Sequence, residues 1–192
     1  MYRDRRGRLS YLSTGGTPIV PFMNNKNSLL WKYRVVMMLF IFGLIVSGVT
    51  AFPLLWELKI LTKILGIGEA TSPEGFTGLQ HWILVVRWGL EEMYGKYPWI
   101  AYGTDWLAFA HIVLAVFFIG PLVDPVRNVW VVYAGLIACV GVIPLALICG
   151  PLRGLPFYWQ LIDCSFGIFG ALPLLYCLKL TKKMEGERKV MS

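Results

Sequence analysis

Residues 103–120 read GTDWLAFAHIVLAVFFIG, an apolar run interrupted by Thr104, Asp105 and His111. A helix entered near Ala101 rises about 1.5 Å per residue, so the run reaches across a hydrocarbon core about 30 Å thick and sets His111 roughly 15 Å inside it. An ionisable group at that depth is costly to insert and is expected to face protein or a wet cavity. Thr104, Ala108, His111 and Ala115 share one helical face, so the histidine points along a seam of small residues.

Composition extends this reading to the whole chain. Its 192 residues are 57% hydrophobic and 15% charged, with a mean hydropathy of +0.63, which is far more apolar than a water-soluble domain. Three further runs are long enough to span, at about 35–55, 126–149 and 157–180, beside the one at 101–121. Each carries small residues at helical steps: Gly43, Ser47 and Thr50/Ala51 in the first, Gly135, Cys139, Ala146 and Cys149 in the third, Asp163, Gly167, Gly170 and Cys177 in the fourth. Small residues let helices approach closely where lipid supplies no hydrophobic drive for association. The expected fold is an all-α integral membrane protein, an antiparallel four-helix transmembrane bundle. Asp124-Pro125 reads as the N-cap and first residue of the third span.

Residues 56–100 are too polar to span and are expected to form interfacial helices in a long loop between spans 1 and 2. Trp56, Leu58, Leu61 and Leu65 fall on one helical stripe, and Arg87 and Glu91 are placed to pair. Trp82, Trp88, Tyr94, Tyr97 and Trp99 suit the water boundary as anchors. Residues 1–28 read as a loose basic tail, 29–181 as one membrane domain and 182–192 as a charged tail.

Charge sets the expected orientation. Seven Lys and Arg precede the first span, Arg127 lies between spans 2 and 3, and five follow from Lys179 onward. The opposite side holds Lys59, Lys63, Arg87, Lys96 and Arg153. The positive-inside rule then places both termini in the cytoplasm of a bacterial-type inner membrane and the 56–100 segment outside. A net charge of +7 concentrated in tails beside membrane segments points to lipid contact rather than to nucleic acid.

Ser47, His111, Cys139 and Gly167 fall in roughly one layer about ten residues in from the outer ends. His111 is expected to bond Ser47 or a backbone carbonyl. Asp163, about 9 Å below the outer end of its helix, has Gln160 and Ser165 near it in sequence and Arg153 across the turn. His111, Asp163, Ser47 and Gln160 form the candidate intramembrane polar site, with His81, Arg87, Glu91, Asp105 and Arg153 as outer-face candidates. No catalytic residue is assigned: there is no phosphate-binding glycine loop, metalloprotease motif, nucleophile elbow or carboxylate cluster. His81 and His111 differ too much in depth to ligate one haem, and one His with one Cys falls short of the four ligands zinc takes. Membrane thiol oxidoreductases also combine four spans with cysteines, but they present cysteine pairs on outer loops, whereas here only Cys149 lies near an outer end.

The leading expectation is therefore a non-enzymatic subunit, assembly factor or sensor of the inner membrane. Its partners would be the bilayer and another membrane protein or a second copy of itself, with no metal and no cofactor. The alternative is a small transporter or a quinone or redox membrane protein, with haem or quinone bound on a polar path through His111 and Asp163.

Overall fold

Proline and glycine cut the apolar sequence into helices. The computed structural model describes residues 2–3, 9–10 and 22–191. Helix α1 (Phe22–Ala51) stops two residues before Pro53, which has no N–H to donate, and α2 (Leu54–Ile64) starts directly after it. Gly66, at φ +71°, ends α2 in a left-handed cap: the Ile67 amide donates to the Thr62 carbonyl at 2.9 Å and the Gly66 amide to Lys63 at 3.1 Å. Helix α3 (Gly78–Lys96) leads through a short 3-10 turn, Pro98–Ile100, into α4 (Ala101–Phe117). Pro121 cannot donate to the Phe117 carbonyl, and the helix is broken there into α4 and the five-residue α5 (Ile119–Val123). Helices α6 (Val129–Leu152) and α7 (Phe157–Met191) complete the chain. Apart from a two-residue antiparallel pairing of Tyr2–Arg3 with Leu9–Ser10, the described structure is helical.

Among the described residues, four stretches are long and apolar enough to cross a membrane: Asn27–Ala51, Pro98–Val123, Val129–Leu152 and Phe157–Glu187. Their limits differ from the sequence expectation where packing, not hydropathy, decides them. Helix α1 begins well before residue 35 and ends before residue 55, and α7 continues through the 182–191 segment that reads as a tail. These polar extensions pack on each other: Leu29, Tyr33 and Met37 of α1 are buried in one cluster with Cys177, Leu180 and Met184 of α7. Most of the expected 1–28 tail lies outside the described residues. Asp124 caps a turn rather than a helix, its carboxylate accepting from the amides of Val126 and Arg127 at 3.2 Å each, and α6 starts only at Val129.

The spans pack in the order α4, α1, α7, α6. Between α6 and α7 the contacts run Gly135 with Leu174, Cys139 with Gly167 and Gly170, and Gly150 with Gln160, numbers rising along one helix and falling along the other. Helices α4 and α6, which a closed ring of four would set side by side, make no extended contact. All four spans share a core only at the end that carries the termini, where Phe118 packs with Val132, Leu174 and the α1–α7 cluster, and meets Phe40 edge-on at a centroid distance of 4.8 Å. Toward the opposite end the buried residues divide between the α1–α4 contact (Gly48, Ala108) and the α6–α7 contact (Ala146, Gly150, Gln160, Cys164, Gly167).

Candidate functional site

His111 lies on α4 against α1, in the expected seam. The residue facing it is Gly48, not Ser47. A Cβ on Gly48 would sit 2.9 Å from the Ala108 carbonyl oxygen and 3.2 Å from the His111 Cβ, so the two backbones meet where only glycine fits. Ser47 is exposed, and Gly43 has no atom within 4 Å of where a Cβ would stand. The Gly43–Ser47 stripe therefore turns away from the protein, one helical residue, or about 100° of rotation, from the face that packs. His111 donates from Nδ1 to the Leu107 carbonyl of its own helix at 2.8 Å. The bond goes to a carbonyl, as one of the two expected partners was.

Asp163 and Gln160 lie on α7 at the end where α6 turns into it. The turn is a glycine-capped helix end: Gly154 adopts φ +72°, its amide donates to the Pro151 carbonyl at 3.1 Å and the Leu155 amide to Gly150 at 3.0 Å, with Pro156 preventing continuation. Gln160 is buried and braces this turn, its Nε2 donating to the Leu155 carbonyl at 2.9 Å while its stem lies where a Gly150 side chain would stand. Gln160 thus serves the turn instead of linking Asp163 to His111. Asp163 and Arg153 both line a cleft of about 250 Å³ with Val142, Leu145, Ala146, Cys149, Gly150 and Leu155. Among the described residues the ion pairs fall elsewhere, and neither Asp163 nor Arg153 has a side-chain partner.

The structure does not bring His111 and Asp163 together: they sit on the α1–α4 and α6–α7 pairs respectively, and no hydrogen bond joins them among the described residues. Among the described residues, no group of three His, Cys, Asp or Glu side chains converges on a point where a metal could be held. Of the cysteines, Cys164 and Cys177 are buried and Cys149 is exposed.

The outer candidates Arg87 and Glu91 are joined as their spacing implies, and they are the centre of a larger knot. Arg87 Nε donates to Glu91 Oε1 at 3.2 Å, while its Nη1 donates to the Thr62 hydroxyl and to the Gly68 carbonyl, both at 3.1 Å. Lys59 reaches the same Glu91 oxygen at 3.3 Å, and the Thr62 hydroxyl donates to the Lys59 carbonyl at 3.0 Å. The knot locks α2 onto α3. Sequence reading missed Thr62, although a threonine three residues after Lys59, able to bond back to that carbonyl, was a usable signal. Two tyrosines tie the hairpin to the spans: Tyr94 Oη lies 3.4 Å from Thr104 Oγ1, and Tyr158 donates to the Gly78 carbonyl at 3.0 Å. Trp82 and Trp159 add a ring contact at 6.4 Å.

His81 is exposed and donates from Nδ1 to the Pro73 carbonyl at 3.0 Å, holding the loop that enters α3. Asp105 borders a shallow patch lined by Phe52, Tyr102, Trp106 and Phe109, away from the other candidates. Comparison of the chain with protein-family models, with characterised proteins and with solved structures found no match.

Proposed function

We propose that the chain is a multi-pass protein of a bacterial-type inner membrane, its spans antiparallel, both termini cytoplasmic and the α2–α3 hairpin outside. It acts there as a non-enzymatic subunit, assembly factor or sensor. Several features support the setting. Large apolar side chains such as Leu39, Phe42, Trp130, Ile137, Phe166 and Phe169 are exposed, a surface suited to lipid. The α1 start and the α7 end share one cluster, and the sequence segments assigned to that side hold thirteen of the eighteen Lys and Arg.

The observation that carries the functional reading is the separation of the polar candidates. His111 is bonded within its own helix, Gln160 is used by the α6–α7 turn, Asp163 borders a cleft of the other helix pair, and Ser47 faces outward. A proton, ion or electron path needs such groups in series. The hairpin, by contrast, is rigidly built and holds exposed apolar side chains, Trp56 and Ile64 among them, beyond those its own packing uses. That combination suits a docking element.

A photo-crosslinking residue in place of Trp56 or Ile64, in intact membranes, is expected to yield one discrete protein adduct, while the same residue at Ile137 yields none. Absence of any adduct from both hairpin positions would overturn the subunit reading. The polar-path alternative would take its place if the purified protein carried a chromophore or a quinone that His111→Phe removes.

A further inference from the structure

The cleft between α6 and α7 holds a cation and a carboxylate that are not bonded to each other. Arg153 stands at the end of α6, and Asp163 is about one and a half turns into α7. Neither has a side-chain partner among the described residues, although both line the same 250 Å³ space. The rest of the lining is apolar, and from Arg153 to Val142 it follows α6 for roughly 16 Å toward the middle of the span. Leu145 and Cys149 on that wall are exposed, so the groove opens sideways onto the surface that faces lipid in the proposed setting.

An apolar groove with a positive group at the turn between α6 and α7 and a negative group about 9 Å along α7 from its start is complementary to a molecule with a zwitterionic head and a hydrocarbon tail. We infer that this cleft is a binding site for an amine-bearing zwitterionic phospholipid of the phosphoethanolamine type. The phosphate accepts hydrogen bonds from the Arg153 guanidinium, the ammonium donates to the Asp163 carboxylate, and one acyl chain lies along Leu145 and Val142. Two properties of the lining select the amine. A carboxylate rewards a head group that donates hydrogen bonds, which a quaternary ammonium cannot do. No aromatic ring lines the cleft, so the cation–π contacts by which choline is usually held are absent from it. An anionic glycerol head would satisfy Arg153 but set its charge against Asp163.

This inference rests on the membrane reading, which fails separately if the chain is released from washed membranes by alkaline extraction. The test is native mass spectrometry of the purified protein in detergent, offered equal amounts of phosphatidylethanolamine, phosphatidylcholine and phosphatidylglycerol with identical acyl chains. The wild-type protein is expected to retain the ethanolamine lipid over each of the others by about tenfold, the worth of one charge-assisted hydrogen bond. Asp163→Asn should reduce that preference to less than about twofold while lipid binding persists, and Arg153→Gln should weaken all three lipids about tenfold. Leu145→Trp, at an exposed position, should block the groove without disturbing the helix. Equal retention of the three lipids by the wild-type protein, which requires no variant to fold, overturns the inference. An ethanolamine preference unchanged in Asp163→Asn overturns it too.

Discussion

His111 and Gly48 show how a single position decides helix approach. The histidine fulfils its most exposed hydrogen-bonding need locally, through the Leu107 carbonyl, so His111→Phe keeps a ring of similar bulk and removes one bond. Hydrogen bonds within membranes average about 0.6 kcal/mol, and the variant is expected to unfold with a stability within about 1 kcal/mol of the parent in a denaturant titration in detergent. Glycines divide sharply. A Cβ at Gly48 presses on backbone of α4, and one at Gly167 would overlap the Cys139 carbonyl, so Gly48→Ala and Gly167→Ala should each cost about 1–3 kcal/mol. Gly43→Ala meets nothing and should be neutral or slightly stabilising by helix propensity. Equal effects at positions 43 and 48 would mean that α1 is rotated from the orientation described. The sequence carried the right kind of stripe for α1, yet Gly43, Ser47 and Gly48 are all small, and no local feature says which of two adjacent stripes meets a partner. On α4 and α7 the stripes were legible because Ala108 and Gly167 are flanked by bulky residues, Leu107 and Phe109, Phe166 and Ile168, that cannot sit at a close crossing.

At the scale of elements, the α2–α3 hairpin depends on the Arg87 knot. Truncating Arg87 to Ala leaves the Thr62 hydroxyl and the Gly68 carbonyl without their donor and frees Glu91 from one of its two cations. A cost of about 1–3 kcal/mol is expected, confined to the hairpin, and limited proteolysis should show earlier cleavage between Gly66 and Gly75 with the spans still protected. Cleavage rates equal to the parent's would show that the hairpin is held by its apolar contacts alone. The Arg87–Glu91 pair was readable from its four-residue spacing. The Thr62 and Gly68 partners were not, because they arrive from α2 and the turn that follows it, whose placement follows from tertiary packing. Helix ends show the same division. Pro53, Gly66, Gly154 and Pro156 punctuate the chain by covalent geometry and mark real boundaries. The extensions of α1 before residue 35 and of α7 beyond residue 180 are polar in composition, and the packing of Leu29, Tyr33, Leu180 and Met184 on one another helps to hold them.

Over the whole molecule, two helix pairs are joined at the termini end and share little elsewhere, which follows from where small residues fall. Gly48 and Ala108 bring α4 onto α1, and Gly135, Gly150, Gly167 and Gly170 bring α6 onto α7. The α1–α7 junction is made of large side chains, Tyr33, Met37, Leu174 and Leu180, near the termini. At about 1.5 Å per residue the 35 residues of α7 extend roughly 52 Å, more than a hydrocarbon core of about 30 Å, so in the proposed setting its last turns stand in water beside the start of α1. In the proposed orientation the basic residues Lys179, Lys182 and Lys183 of α7 meet the cytoplasmic head groups. Hydropathy made the four long apolar helices legible, and the charge count is what the proposed orientation rests on. The pairing order was not, because every span is apolar all round and no periodicity distinguishes its neighbours.

In the proposed topology the chain has four spans, with the termini on one side of the membrane and the hairpin on the other. Single cysteines placed at Ser10, Ser72 and Ser192, in a protein whose own four cysteines are replaced by alanine, test it with a membrane-impermeant thiol reagent applied to intact cells. Labelling is expected at position 72 in intact cells, and at positions 10 and 192 only after the membrane is permeabilised. Labelling of either terminus in intact cells, with position 72 protected, would contradict it.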